Sequence, residues 1–156
     1  MALAHQLNKE GHSITVYERA DKIGGLLRYG VPDFKLEKTV IDRRVRVMEQ
    51  EGIVFKTNSH VGVNVDSKLL LDNYDAIAIT VGATQPNLLG LESIQGVDGV
   101  CYAMEFLTQQ NQIVSDGRIG VNNHEGLPYE NSWLNAKGKN VVIIGGGDTG
   151  ADCVGT

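Results

Sequence analysis

Cysteine is scarce in this sequence. Cys101 and Cys153 are its two cysteines, they stand far apart, and no CxxC pair exists. That excludes a redox dithiol of the thioredoxin type and a local cysteine-rich iron–sulfur cradle. Both thiols read as small buried hydrophobes. Long apolar runs are missing too. Nothing approaches the roughly 18 residues that a membrane-spanning helix needs, so no membrane role is expected. Positive charge is in deficit, at a net −5 over 156 residues, which leaves no broad basic surface for nucleic acid. His5, His12, His60 and His124 share no metal-ligand spacing, so no metal site is expected. The opening MALAHQLNKEGH has no basic region leading into an apolar core. It does not read as a secretory signal, and the chain reads as cytoplasmic.

Glycine, by contrast, is plentiful. There are 19, many in GG or GxG clusters, against a background of about 7%. Such clusters suggest backbone lying close to a ligand. Along the chain, residues 2–10 form a helix with Leu3 and Leu7 spaced i, i+4 and Gly11 as its stop. SITVYE is a short β-branched and aromatic strand, followed by a loop, RADKIGGLLRYGVPDFK. Residues 36–51 form an amphipathic helix with Leu36, Val40, Val47 and Met48 on one face and Gly52 at its end. IVFKTN is a strand, HVGVNV a possible second one, and 67–71 a short helical turn. YDAIAITVGA is a strongly apolar strand running into Gly82, and the LLGLES segment after it is a loop. A helix is expected near 102–110, then a polar connecting loop over 111–138, in which Trp133 is an anchor onto a domain surface. KNVVIIGGGDTG then reads as strand, tight turn and helix start. Arg43, Arg44 and Arg46 alternate with Asp42 and Glu49, which suggests a solvated, ion-paired face, with partner docking as the sharper alternative.

Three constellations carry chemistry. In GGGDTG, Gly145, Gly147 and Gly150 occupy the G-x-G-x-x-G positions, and VVII before them reads as a fully buried strand. The first glycine permits the tight turn, the second lets a pyrophosphate reach the backbone, and the third allows close helix–strand contact. The helix start supplies free N–H groups and partial positive charge, with Asp148 and Thr149 as capping residues. A glycine-rich strand–helix turn without ligand is the plain alternative. The second constellation is the order helix, Gly11, strand, Glu18. In a Rossmann unit an acid about 20 residues beyond the glycines holds a ribose hydroxyl. Glu18 fits that place, and counting back puts the glycine loop ahead of Met1. An acid ending a strand is otherwise a solvated carboxylate. The third is GGLLRYGVP with TVGATQP. Each alone is a turn, but the order acid, GG, amphipathic helix, strand ending in GAT, then GxGxxG is that of two-dinucleotide flavoprotein reductases.

The run GHSITVYERADKIGGLLRYGVPDFKLEKTVIDRRVRVMEQEGI, then GATQP, YAMEFL and AKGKNVVIIGGGDTGADCVGT, resembles the small (β) subunit of glutamate synthase. The wider group includes the related reductase parts of dihydropyrimidine dehydrogenase and of ferredoxin:NADP transhydrogenases. The resemblance implies FAD and NADP (or NAD) as cofactors, hydride passing from NAD(P)H to flavin, and the large (α) subunit as partner. It implies iron–sulfur clusters only in a cysteine-rich region that lies N-terminal to this stretch in the family. Carried over by position, Glu18 holds the FAD ribose and Gly25 and Leu26 line the flavin. Lys35 faces the FAD phosphates or its ring edge, and Val61, Gly82 and Ala83 touch FAD through backbone. Gly146, Gly147, Asp148 and Thr149 meet the nicotinamide dinucleotide. No acid–base residue is implied, because hydride transfer is chemistry of the cofactors.

The expected fold is therefore α/β. Residues 1–95 form a partial Rossmann-like FAD-binding domain that lacks its first strand and glycine loop. Residues 96–138 connect, and 139–156 form the strand–turn–helix start of an NAD(P)-binding Rossmann domain. The residue that would choose NAD or NADP falls past Thr156. An inactive piece with weak or no nucleotide binding is the expectation for these residues by themselves.

Overall fold

A computed structural model describes residues 1–86, 90, 97–115 and 134–156. The chain divides into two units, Met1–Arg28 with Glu37–Ala83, and Tyr29–Leu36 with Thr84–Thr156. Trp133 and the LLGLES segment (Gly90 excepted) lie outside the described residues. Among the described residues no helix is long and apolar enough to cross a membrane.

The first unit runs α1 (Ala2–Lys9), β1 (Thr15–Tyr17), α2 (Leu26–Tyr29, whose last residue passes to the second unit), α3 (Lys38–Gln50), β2 (Val54–Lys56) and α4 (Ser67–Asn73). β1 and β2 are parallel, with Thr15 opposite Val54, Val16 opposite Phe55 and Tyr17 opposite Lys56. A parallel pair needs a long crossover, and α3 lies in it. Alternation sends Ile14, Val16 and Phe55 to one sheet face, where they pack with Met1 against Ala4, Met48 and Ile53. Met48, on α3, is 0% exposed. The buried stripe of α3 is Lys38, Ile41 and Met48, while Val40 and Val47 are exposed. The expected face thus held at Met48 and was rotated from the real one at the two valines. Two valines at i and i+7 marked a plausible stripe, but the sheet accepts the neighbouring one.

α1 and α3 end alike. The Gly11 and His12 amides donate to Asn8 and Leu7 carbonyls at 3.0 and 3.2 Å, and those of Gly52 and Ile53 to Glu49 and Met48 at 3.0 Å. Each is a Schellman stop, and its left-handed residue is glycine, at φ +89° for Gly11 and +96° for Gly52. Asn8 Nδ2 then donates to Glu51 O at 2.9 Å and His5 stands 3.3 Å from the Glu51 carboxylate, so α1 is tied to the end of α3.

Four expectations are corrected in the elements. HVGVNV is a turn closed by a single Val61–Val65 bridge, because the Gly62 amide donates to Val65 O at 2.8 Å and His60 O takes the following amides. The loop after β1 contains one helical turn, α2. YDAIAITVGA and VVII, both read as strands, have no ladder partner among the described residues, and Ile79 and Val142 are 81% and 86% exposed. An apolar run marks a strand fit for the middle of a sheet, but only neighbouring strands make it one. In the second unit the helix expected at 102–110 is α5 (Ala103–Ser115), so 111–115 belong to it rather than to the loop. The Glu105 carboxylate accepts the Tyr102 amide at 3.0 Å, half of a capping box. Leu107 of α5 is 1% exposed, and α5 packs on α6 (Asp148–Gly155).

Candidate functional sites in the two units

In the second unit, the chain enters GGGDTG without regular structure and turns sharply at Gly145, whose φ is +123°. A side chain there would be strained. Gly147 is the N-cap of α6, and the Ala151 amide donates to its carbonyl at 3.0 Å. A Cβ on Gly150 would lie 2.7 Å from Gly145 O, so the first helical turn can sit on the glycine turn only with hydrogen there. Gly146 and Gly147 have nothing within 4 Å of a built Cβ. Space therefore opens at the two glycines expected to approach a pyrophosphate. No side chain caps α6, which corrects the capping expected of Asp148 and Thr149. Both lie inside the first turn, where a side chain can no longer reach forward to the orphan amides. Those amides are left for a solute, and Asp148 adds a negative charge beside them.

The first unit holds Glu18, Gly25, Leu26, Val61, Gly82 and Ala83. Glu18 follows directly on β1. Its amide donates to Lys56 O at 2.9 Å, its carbonyl accepts from Ser59 N at 2.8 Å, and its carboxylate accepts from Ala20 N at 2.9 Å. The acid is thus held at the carboxyl end of a parallel strand, where ligands of open α/β sheets gather. Gly25 is exposed at φ +55° with open space where a side chain would be. Leu26 is exposed at the start of α2, and Val61, Gly82 and Ala83 are exposed as well.

The GG loop is held from inside by two buried cations that the sequence did not single out. Arg28, 3% exposed, donates through Nε to Ile23 O at 3.1 Å and through a terminal nitrogen to Asp42 Oδ1 at 2.5 Å. Lys38 Nζ, also buried, donates to Leu27 O at 3.4 Å. Gly24 sits against Arg28 and Ile41 at φ +136°, where a Cβ would stand 3.0 Å from Arg28 Cβ and 3.3 Å from Ile41 Cγ2. Asp42 is thereby spent on Arg28, not on the exposed Arg43, Arg44 and Arg46 of its own helix. No sequence signal marks Arg28, because a buried arginine and a surface one look alike in a polar loop.

Lys35 was expected to face the FAD phosphates or ring edge. It belongs to the second unit and makes an ion pair with Asp152 of α6. The Asp152 carboxylate beside it raises its pKa against slight desolvation, with Asp148 adding to the pull. On the sheet face away from the core, Tyr17 and Tyr74 meet edge to face, with centroids 6.2 Å apart and hydroxyls at 3.1 Å. Lys56 Nζ donates to Tyr17 Oη at 3.1 Å and lies 4.9 Å from that ring's centroid. The cysteines are not buried as expected. Cys101 is exposed ahead of α5, and Cys153 is half-buried on α6, a short helix. Desolvation raises both thiol pKa values, with further help from Glu105 at Cys101 and from Cys101 and Asp152 at Cys153.

No family model matches the chain. Curated relatives do. The glutamate synthase [NADPH] small chain of Bacillus subtilis is 44% identical over all 156 residues, which span 30% of that protein. That of Mycobacterium tuberculosis is 47% identical over the same length and share. The whole chain is thus similar to one stretch of glutamate synthase small chains. The larger glutamate synthase [NADH] of Schizosaccharomyces pombe is 43% identical over 158 aligned residues, 7% of its length. The chain thus spans less than a third of the small chains it matches, and the matched stretch includes both the GG loop and the glycine turn. That likeness is compatible with an α/β architecture built on a parallel strand pair.

Proposed function

We propose that the chain is the dinucleotide-binding part of an FAD-dependent NAD(P)H oxidoreductase of the glutamate synthase small-chain type. The observation that carries this is the glycine turn. Its φ of +123° at Gly145 and the 2.7 Å approach that a Gly150 Cβ would make to Gly145 O require glycine at two fingerprint positions. The third, Gly147, stands beside open space at an uncapped helix start. Gly145, Gly146, Gly147 and Gly150 with the amides of Asp148 and Thr149 hold a nicotinamide dinucleotide. Glu18, with Gly25, Leu26, Val61, Gly82 and Ala83, holds FAD, the acid accepting from its ribose. When bound, the flavin supplies the hydride-accepting chemistry. The chain's own residues position and orient. In the whole enzyme the electrons pass through iron–sulfur clusters to the large subunit, which forms glutamate from glutamine and 2-oxoglutarate. NADPH is the favoured donor, after the bacterial relatives' names.

The exposed apolar segments around Ile79 and Val142 support a second reading for the isolated chain. A central strand between β1 and the 76–83 segment would give both an edge to pair with, and without such partners the cofactors are poorly held. The test substitutes this chain for the matching segment of the Bacillus subtilis small chain. A chimera that retains stoichiometric FAD and oxidises NADPH supports the proposal; one that folds but holds neither cofactor overturns it. The isolated chain is expected to emerge colourless from gel filtration after incubation with FAD, and a stoichiometric flavin absorbance would refute the second reading.

A further inference from the structure

Lys35 and Asp152 point to a role outside the cofactor shell. Asp152 is 8% exposed, and a carboxylate so placed needs a cation. Lys35 provides it from a short turn whose amides at Lys35 and Leu36 both donate to Pro32 O, at 3.0 and 3.1 Å. The same turn presents Phe34 to the far end of α6, where a Cβ on Gly155 would lie 2.5 Å from the ring's Cζ. Two neighbouring residues thus hold α6 near its middle and its last turn, and α5 also packs on it. A helix of eight residues is marginal by itself, so its orientation depends on such restraints.

We infer that the Pro32–Leu36 turn is a latch on α6, and that Lys35 is a positioning residue for the glycine turn through its ion pair with Asp152. The inference rests on reading α6 as the dinucleotide helix. The latch sets where the free amides of that helix point, and Lys35 does so without touching the cofactor.

The test uses the whole chain with two readouts. Hydrogen exchange follows the Ala151 amide, which donates to Gly147 O, and calorimetry follows NADPH binding. Lys35→Met is expected to speed Ala151 exchange and weaken NADPH binding, each by roughly 3- to 5-fold, the scale of a partly exposed pair. Lys35→Arg restores both, Asp152→Asn reproduces the exchange effect, and the double variant Lys35→Met/Asp152→Asn is no worse than either single one. Unchanged exchange in both single variants overturns the latch. So does weaker NADPH binding with unchanged exchange, which would make Lys35 a direct ligand. If the chimera with the Bacillus subtilis small chain binds no NADPH while Lys35→Met still speeds exchange, the latch stands and the cofactor reading of α6 fails.

Discussion

Replacing Arg28 with methionine separates the two bonds that hold the GG loop. Methionine keeps most of the apolar stem and removes the guanidinium. Arg28 is 3% exposed, so the Nε–H bond to Ile23 O at 3.1 Å is a charge-assisted bond out of water. Its loss strands a buried carbonyl, at a cost of about 1.5–3 kcal/mol. Asp42, by contrast, is 53% exposed and regains water when its partner leaves, so that contact contributes no more than about 1 kcal/mol. Arg28→Met is therefore expected to destabilise the first unit by about 2–4 kcal/mol, and Asp42→Asn, whose amide oxygen still accepts from the buried guanidinium, by about 1 kcal/mol. Urea unfolding followed by far-ultraviolet circular dichroism measures both, with amide exchange at Ile41 and Met48 assigning the loss to the first unit. Equal losses in the two variants would refute the reasoning, since they would make the ion pair, not the carbonyl bond, the anchor of the loop.

Met48→Ala empties the centre of the first unit's core and is expected to cost about 2–5 kcal/mol in the same assay, because Met48 is 0% exposed. Gly150→Ala drives a methyl into Gly145 O and is expected to destabilise the second unit by about 1–3 kcal/mol, whereas Gly146→Ala, with open space, stays within about 0.5 kcal/mol. Ultraviolet titration is expected to show the Tyr74 hydroxyl ionising below the ordinary tyrosine range. Hydrogen bonds from Thr15 and then Tyr17 favour its phenolate, burial opposes, and Lys56 adds attraction. A depressed acid stabilises the fold above its unfolded value, near 10, and that gain is lost as pH falls through the folded value. Lys56 is raised, chiefly by its bond to Tyr17, so its contribution is full at neutral pH and is lost as pH rises through its own folded value. Thr15→Val should return Tyr74 toward the ordinary range, and an unchanged titration would refute the assignment.

Much of the local structure was legible because its causes are local. Gly11 and Gly52 stop α1 and α3 through left-handed residues that lie within one turn of the helix they end. The glycine spacing of GGGDTG was legible for the same reason, since the contact between Gly150 and Gly145 O spans five residues. Errors arose where the cause is distant. The buried stripe of α3 was right at Met48 but misplaced at Val40 and Val47, because it depends on which side meets β1 and β2, and periodicity alone leaves two valines as plausible as Ile41. The apolar runs at 76–83 and 141–144 were read as strands from composition, although a strand exists only through its neighbours.

The sequence by itself determined the helix stops, the glycine turn and the lineage, since these are written in residue type at short, regular spacing. The tertiary structure alone decided the partners of charged groups. Arg28 chose Asp42 and Ile23 O, Tyr17 gathered Tyr74 and Lys56, and Lys35 went to Asp152. A charge acts through space over a few ångströms, and which groups come that close depends on how the backbone returns on itself. No pattern along the chain records it.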